Sequence, residues 1–226
     1  MKYMLAFLLG LCILFTLCTD TFASDSSNRT AFSEIFSLDT IGTQVAYFEK
    51  LYGPAKKVFG EERLYPIDGC NVYVHGVTSI QALSLEITDQ CNFDLAPFVM
   101  SDKPVPANNL TFGRLDQETG QMGSFFADCL MMCGNAYDPS IYLIWEGPRA
   151  NGFTNVQVTA PIVDNNIFVA SRIWQDAMVV EQGEDWVVDT KFNCDHRYDP
   201  VARRALANIS VTTVKVGFFT LGLCQE

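Results

Sequence analysis

Apolar positions recur along the chain with two periods. Ile41, Val45, Phe48 and Tyr52 fall at i, i+4, i+7 and i+11, one face of a helix. Asp39 or Thr40 is placed to cap its start. Gly53-Pro54 ends it, because glycine takes a left-handed turn and proline blocks continuation. A period of two follows. Arg63–Ile67 reads as a strand, with Pro66 confining it to an edge or a strand end. Val72 and Val74 alternate with Tyr73 and His75. Beyond the turn Gly76-Val77-Thr78, Leu83, Leu85 and Ile87 alternate with Ala82, Ser84 and Glu86, which predicts a half-buried antiparallel hairpin.

The second half repeats this mixture. Residues 92–120, rich in Pro, Asn, Asp and Gly, read as a connector. Phe125, Cys129 and Met132 or Cys133 predict a second helix over Met122–Met132, closed by Gly134. Ile141–Glu146 and Phe153–Ala160 read as paired strands around a turn at 147–152. A third helix spans Asn166–Gln182, with Ile167, Ala170, Trp174 and Ala177 in one line, a cap at Asp164 or Asn165 and a stop at Gly183. Asp199-Pro200 reads as the cap and first residue of a short helix through Ala207, and Ile209–Phe218 as a last strand. Helices and hairpins mix without a βαβ rhythm, so the expected class is α+β, with helices packed on an antiparallel sheet. The order helix, glycine stop, tyrosine-proline segment and paired strands occurs twice. It divides the chain into a leader (1–23), a first helix–hairpin unit (24–100) and a second unit with added helices and a last strand (101–226).

Composition narrows the partners. Apolar residues make up 49% of the 226 and charged residues 18%, which excludes a disordered chain. Fifteen Lys and Arg against 26 Asp and Glu give a net charge of −11, which argues against nucleic acid and anionic lipid as partners. Lys2, the apolar run Met4–Cys18 and the small-residue site Thr21-Phe22-Ala23 read as a signal peptide cleaved before Ser24. The mature chain is then periplasmic or secreted, with no stable membrane anchor. Six cysteines remain after cleavage. In an exported protein they point to three disulfides rather than a metal site, since only Cys129 and Cys133 are close in sequence and no histidine is near them. Cys70 and Cys91 bracket the predicted hairpin, and Cys194 and Cys224 bracket the C-terminal helix–strand unit. Cys129 and Cys133 are left to pair across a helix end.

No G-x-S-x-G, S-x-x-K, Walker A or H-E-x-x-H motif is present, so no catalytic residue and no cofactor are assigned. His75, in a strand beside Tyr73, reads as a structural or surface histidine, since no partner for it can be named. Asp195, His196 and Asp199 form the richest polar cluster and offer carboxylate and imidazole ligands for a divalent ion. They carry the alternative reading, a metal-binding protein or a small metal-assisted hydrolase. Tyr142, with Arg149 and Asn151 in the turn beyond it, is the candidate contact surface. Trp145 shares its strand face with Ile141 and Leu143 and belongs to the core.

The segment Thr40-Ile41-Gly42-Thr43-Gln44-Val45, then Leu51-Tyr52-Gly53-Pro54 and a hairpin, resembles the SmpA/OmlA-like lipoproteins of outer-membrane β-barrel assembly. A tandem version of that fold is similar to the secreted β-lactamase inhibitory proteins. The leader differs from a lipoprotein's, since Leu11 and Leu17 precede its cysteines where a small residue is required. The resemblance implies a binding or scaffolding role, with another envelope or secreted protein as the partner.

Overall fold

The computed structural model describes residues 32–134, 138–148, 154–220 and 222–224. The leader expected at 1–23 lies outside them. Helix α1 (Val45–Tyr52) buries Val45 and Phe48, with Ile41 and Tyr52 packed beside them. It is not capped by Asp39 or Thr40. Its N-cap is Gln44, which makes no side-chain cap, and the Val45 N–H donates to Thr78 O while Ile80 N–H donates to Thr43 O. Backbone pairing with the loop that follows β3 therefore holds the helix start. Gly53 closes α1 at φ 87°, its N–H donating to Glu49 O.

Four strands follow as a meander: β1 (Lys57–Phe59), β2 (Glu62–Ile67), β3 (Cys70–His75) and β4 (Ala82–Glu86). Next come α2 (Ala96–Val99), α3 (Phe112–Glu118), β5 (Ser124–Ala127), β6 (Ser140–Glu146) and β7 (Asn155–Pro161). Helices α4 (Asn165–Gln182), α5 (Glu184–Val188) and α6 (Asp199–Ala205) lead to β8 (Thr213–Gly217). The eight strands form one antiparallel sheet in the order β1-β2-β3-β4-β8-β7-β6-β5. The fold is α+β. Each half is a helix followed by a four-strand meander, α1 with β1–β4 and α3 with β5–β8. The two meanders meet along β4 and β8, and α4–α6 are inserted before the last strand.

Several local expectations are corrected. Residues 122–132 hold no helix. Phe125 and Ala127 point into the core from β5, and the chain then turns into the Cys129–Cys133 loop. The connector 92–120 contains α3, whose Phe112 and Leu115 are fully buried and whose start is capped by Thr111 accepting from the Arg114 N–H. Strand β2 lies inside the sheet, so of the two places expected for Pro66 it takes the strand end. Pro66 pairs with Asn71 of β3, beyond the last β1–β2 pair at Leu64, so its missing N–H falls where β1 has already ended. Asp199 is the first residue of α6 rather than its cap, and its carboxylate accepts from Phe125 N–H of β5.

One face of the sheet is apolar. In register across it run Val74, Leu83, Val216, Val156 and Trp145, and beside them Val72, Leu85, Val214, Val158, Leu143 and Phe125, all buried. The inward residues of α1, α3 and α4, among them Phe48, Leu115 and Trp174, join these rows in one core. At about 25 cal/mol per Å² of apolar surface removed from water, this layer is the main favourable term. Three disulfides staple it: Cys70–Cys91, Cys129–Cys133 and Cys194–Cys224. The first is buried and clamps the open end of the β3–β4 hairpin. No helix among the described residues is long and apolar enough to cross a membrane.

Candidate functional site

The opposite face of the sheet is polar, because period two sends every second residue there. Its middle row is Leu64, Tyr73, Ser84, Lys215, Gln157 and Ile144. The row above is Glu62, His75, Ala82, Gly217, Asn155 and Glu146. A groove of about 830 Å³ lies over the upper row, lined by Glu62, His75, Lys215, Asn155 and Glu146, with Phe59, Phe218 and Phe219 as apolar walls. A second lobe of about 430 Å³ continues over β5 and β6, lined by Ser124, Phe126, Ile144, Asn193 and His196. Glu146, Asn155, Phe219 and Thr220 border both lobes.

The chain itself divides the lobes. Gly217, at the end of β8, has φ 137°, and a Cβ there would stand 2.2 Å from Gln81 O. Only glycine fits; Phe218 keeps the β4–β8 register, and from Phe219 the backbone leaves the sheet and crosses the polar face. Phe218 N–H donates to Gln81 O at 2.7 Å. The Asn155 amide donates to Phe219 O at 2.6 Å. The Lys215 ammonium stands 4.7 Å from the Phe219 ring centroid. The Cys194–Cys224 disulfide ties the far end of this crossing to the loop before α6.

His75 anchors the first lobe. Its Nε2 lies 2.7 Å from Ser84 Oγ, and its Nδ1 lies 3.6 Å from a Glu62 carboxylate oxygen. Burial, with the Lys215 ammonium nearby, pushes the imidazole down to about 3, so it is neutral at neutral pH. The carboxylate can only accept, which favours the proton on Nδ1 and leaves Nε2 to accept from the Ser84 hydroxyl. Lys215 is partly buried and its pKa is lowered by desolvation against the pull of Glu62. Below this row the Tyr73 hydroxyl and the Asn71 amide both donate to Glu86, and burial with that bond pushes Tyr73 up to about 12.

Glu62, His75 and Ser84 thus have the connectivity of an acid–imidazole–hydroxyl relay, from three adjacent strands. The surroundings do not suit acyl transfer. Ser84 is 5% exposed in the middle of β4, whose two edges are both paired, so its backbone N–H groups serve the ladder. An imidazole near 3 is also a weak base at neutral pH.

His196 borders the second lobe with its ring 4.8 Å from that of Phe126, edge-on, and Nδ1 3.4 Å from Asp199 Oδ2. The Asp199 carboxylate, which accepts from the protonated imidazole, raises its pKa, against burial. Asp195 turns away to Arg197, 2.5 Å from its guanidinium, and that partner lowers its pKa. Asp199 is committed to Phe125 N–H. The 195–199 cluster is therefore a set of structural contacts, and among the described residues no group of three or more His, Cys, Asp or Glu side chains is placed to hold a metal ion. Tyr142 lies on the polar face of β6, its hydroxyl 2.9 and 3.0 Å from the two Asp128 carboxylate oxygens, where it braces the loop after β5. Arg149 and Asn151 lie outside the described residues. Trp145 is buried.

Sequence reasoning did not connect His75 with Ser84 and Glu62, and it passed over Lys215. The signal was the register of the predicted hairpin, since pairing His75 with Ala82 sets Ser84 diagonally beside the imidazole. Compared with known proteins, the chain matches no family model, no curated protein and no solved structure.

Proposed function

We propose that this is an exported binding protein without a catalytic centre, whose working surface is the polar face of its eight-stranded sheet and whose partner is another envelope or secreted protein. One observation carries the reading. A single chain buries one whole face of the sheet under its helices and leaves on the other a two-lobed groove lined by fixed polar and aromatic side chains. Such a surface binds through a few anchoring contacts inside a rim that excludes water. Three disulfides suit an oxidising compartment. The leader and the likeness to tandem inhibitory proteins support the same role.

The test is capture by the oxidised chain 24–226 from an envelope extract and culture medium, read by mass spectrometry. One saturable partner is expected. Glu146→Arg and Phe59→Ala, in the lining of the groove, should weaken capture at least tenfold, whereas Ile173→Arg, on the exposed side of α4, should leave it unchanged. Capture insensitive to the groove variants would overturn the proposal. So would ester or peptide turnover abolished by Ser84→Ala.

A further inference from the structure

The segment that crosses the polar face has the contacts of a bound ligand. Phe218 N–H still completes the β4–β8 ladder on Gln81 O, and Phe219 is the first residue to leave it. Its carbonyl receives the Asn155 amide, and its aromatic ring lies against the Lys215 ammonium. The amide of Asn155 and the ammonium of Lys215 are polar groups at the floor of a groove, and Phe219 is what engages both. The crossing is fixed at its near end by Gly217 and at its far end by the Cys194–Cys224 bond. Both of those cysteines are exposed, whereas Cys70 and Cys91 are 2% and 7% exposed.

We infer that Phe219 and Thr220 are a tethered self-occupant of a peptide-binding groove, that the partner presents an extended segment carrying an aromatic side chain in place of Phe219, and that reduction of Cys194–Cys224 releases the strap and opens the site. This rests on the polar face being the binding surface. The aromatic ring answers the ammonium. The partner's backbone carbonyl answers Asn155. Release is a thiol–disulfide exchange with a dithiol reductant. One reductant thiolate attacks a sulfur of the pair, forming a mixed disulfide and freeing one protein thiol. The second reductant thiol then displaces the other, leaving Cys194 and Cys224 as thiols and the reductant as a disulfide. Exposure makes this bond accessible to the reductant while the buried Cys70–Cys91 bond is shielded.

The experiment has two arms. In the first, the oxidised chain is treated with graded dithiothreitol, free thiols are alkylated and mapped, and lysines are acylated with an N-hydroxysuccinimide ester. Cys194 and Cys224 should alkylate before Cys70 and Cys91. Acylation of Lys215 should then rise at least fivefold relative to Lys50 and Lys103, and the Cys194→Ser/Cys224→Ser chain should show the same rise without reductant. This arm needs no partner, so it separates failure of the strap from failure of the binding-protein reading. In the second arm a fluorescent peptide of residues 216–222 is titrated onto the full chain carrying Cys194→Ser, Cys224→Ser and Phe219→Ala. It should bind at least tenfold more tightly than the same peptide with alanine for Phe219, and the oxidised wild type should not bind it. Unchanged Lys215 acylation after reduction overturns the latch. Equal binding of the two peptides overturns the aromatic specificity.

Discussion

The sheet ends differently on its two sides. At β5 the outer edge is sealed by side chains. Asp199 accepts from Phe125 N–H, and Asn193 both accepts from Ala127 N–H and donates to Ala127 O, so two buried residues from the helical segment imitate a ninth strand. At β1 no described residue covers the outer edge in this way. Lys57, Val58 and Phe59 are all exposed, and the strand is protected by being three residues long, with Lys56 and Lys57 at its start. Both devices prevent edge-to-edge pairing, but the sealed edge brings carboxylates inside. Asp199 must answer to His196, and the nearby Asp116, 1% exposed, answers to Arg203 at 2.6 Å. The second half of the molecule therefore depends on buried charge, and among the described residues the first half does not.

The largest test of that difference is Arg203→Ala. Arg203 also donates to Gln121 O and Gly123 O, so it ties α6 to α3 and to the turn before β5. Removing it leaves the Asp116 carboxylate buried without a cation, an expected loss of about 3–5 kcal/mol in urea unfolding. The matching variant in the first half, Arg63→Ala, removes only bonds to the carbonyls of Glu61, Gly76 and Val77 and should cost about 1 kcal/mol. Similar losses for the two would erase the distinction between the halves. At the edges themselves, Asn193→Ala strands a buried N–H and a buried C=O of Ala127 and should cost about 2–4 kcal/mol. Val58→Thr on the open edge should stay within about 0.5 kcal/mol.

Legibility follows the same line. The β3–β4 hairpin shows in the sequence because its apolar and polar residues alternate, Ala82 apart, and α4 because Ile167, Ala170 and Trp174 keep one apolar line between clear cap and stop signals. Two disulfide pairings show because Cys70 with Cys91 and Cys194 with Cys224 each bracket one local unit, and the third follows as the pair left over, although the helix end expected between Cys129 and Cys133 is a loop. Strand β5 is hidden. Its outward Phe126 is apolar because it packs on His196, so the alternation vanishes, and the spacing of Phe125, Cys129 and Met132 imitates a helix. Asp199 before Pro200 has every local mark of a cap. Its true partner lies 74 residues away, which no local pattern encodes. The polar-face groove is hidden for a related reason, since it needs the β4–β8 junction between the two meanders before Lys215 meets Ser84.

The two histidines sharpen the comparison with the smallest effect. His196 has a raised pKa, chiefly through the Asp199 bond, so the folded chain holds a proton that the unfolded chain releases near 6.5. Its contribution to stability is complete below 6.5 and is lost as pH rises through the raised folded value. His75 has its pKa pushed down to about 3, so the unfolded chain takes up a proton that the folded chain refuses. Its contribution is present above 6.5 and is lost as pH falls from there toward 3. The slopes are opposite in sign, and each is at most about 1.4 kcal/mol per pH unit for one proton. Urea midpoints measured from pH 5 to pH 8 should separate them. His196→Gln should flatten the decline above 6.5, and His75→Gln, which can keep a bond to Ser84, should flatten the decline below it. If His75→Gln steepens the acid limb instead, Glu62 holds a charged imidazole in the folded state. The first half of the sheet would then carry a buried ion of its own, and the contrast between the halves would reduce to their edges.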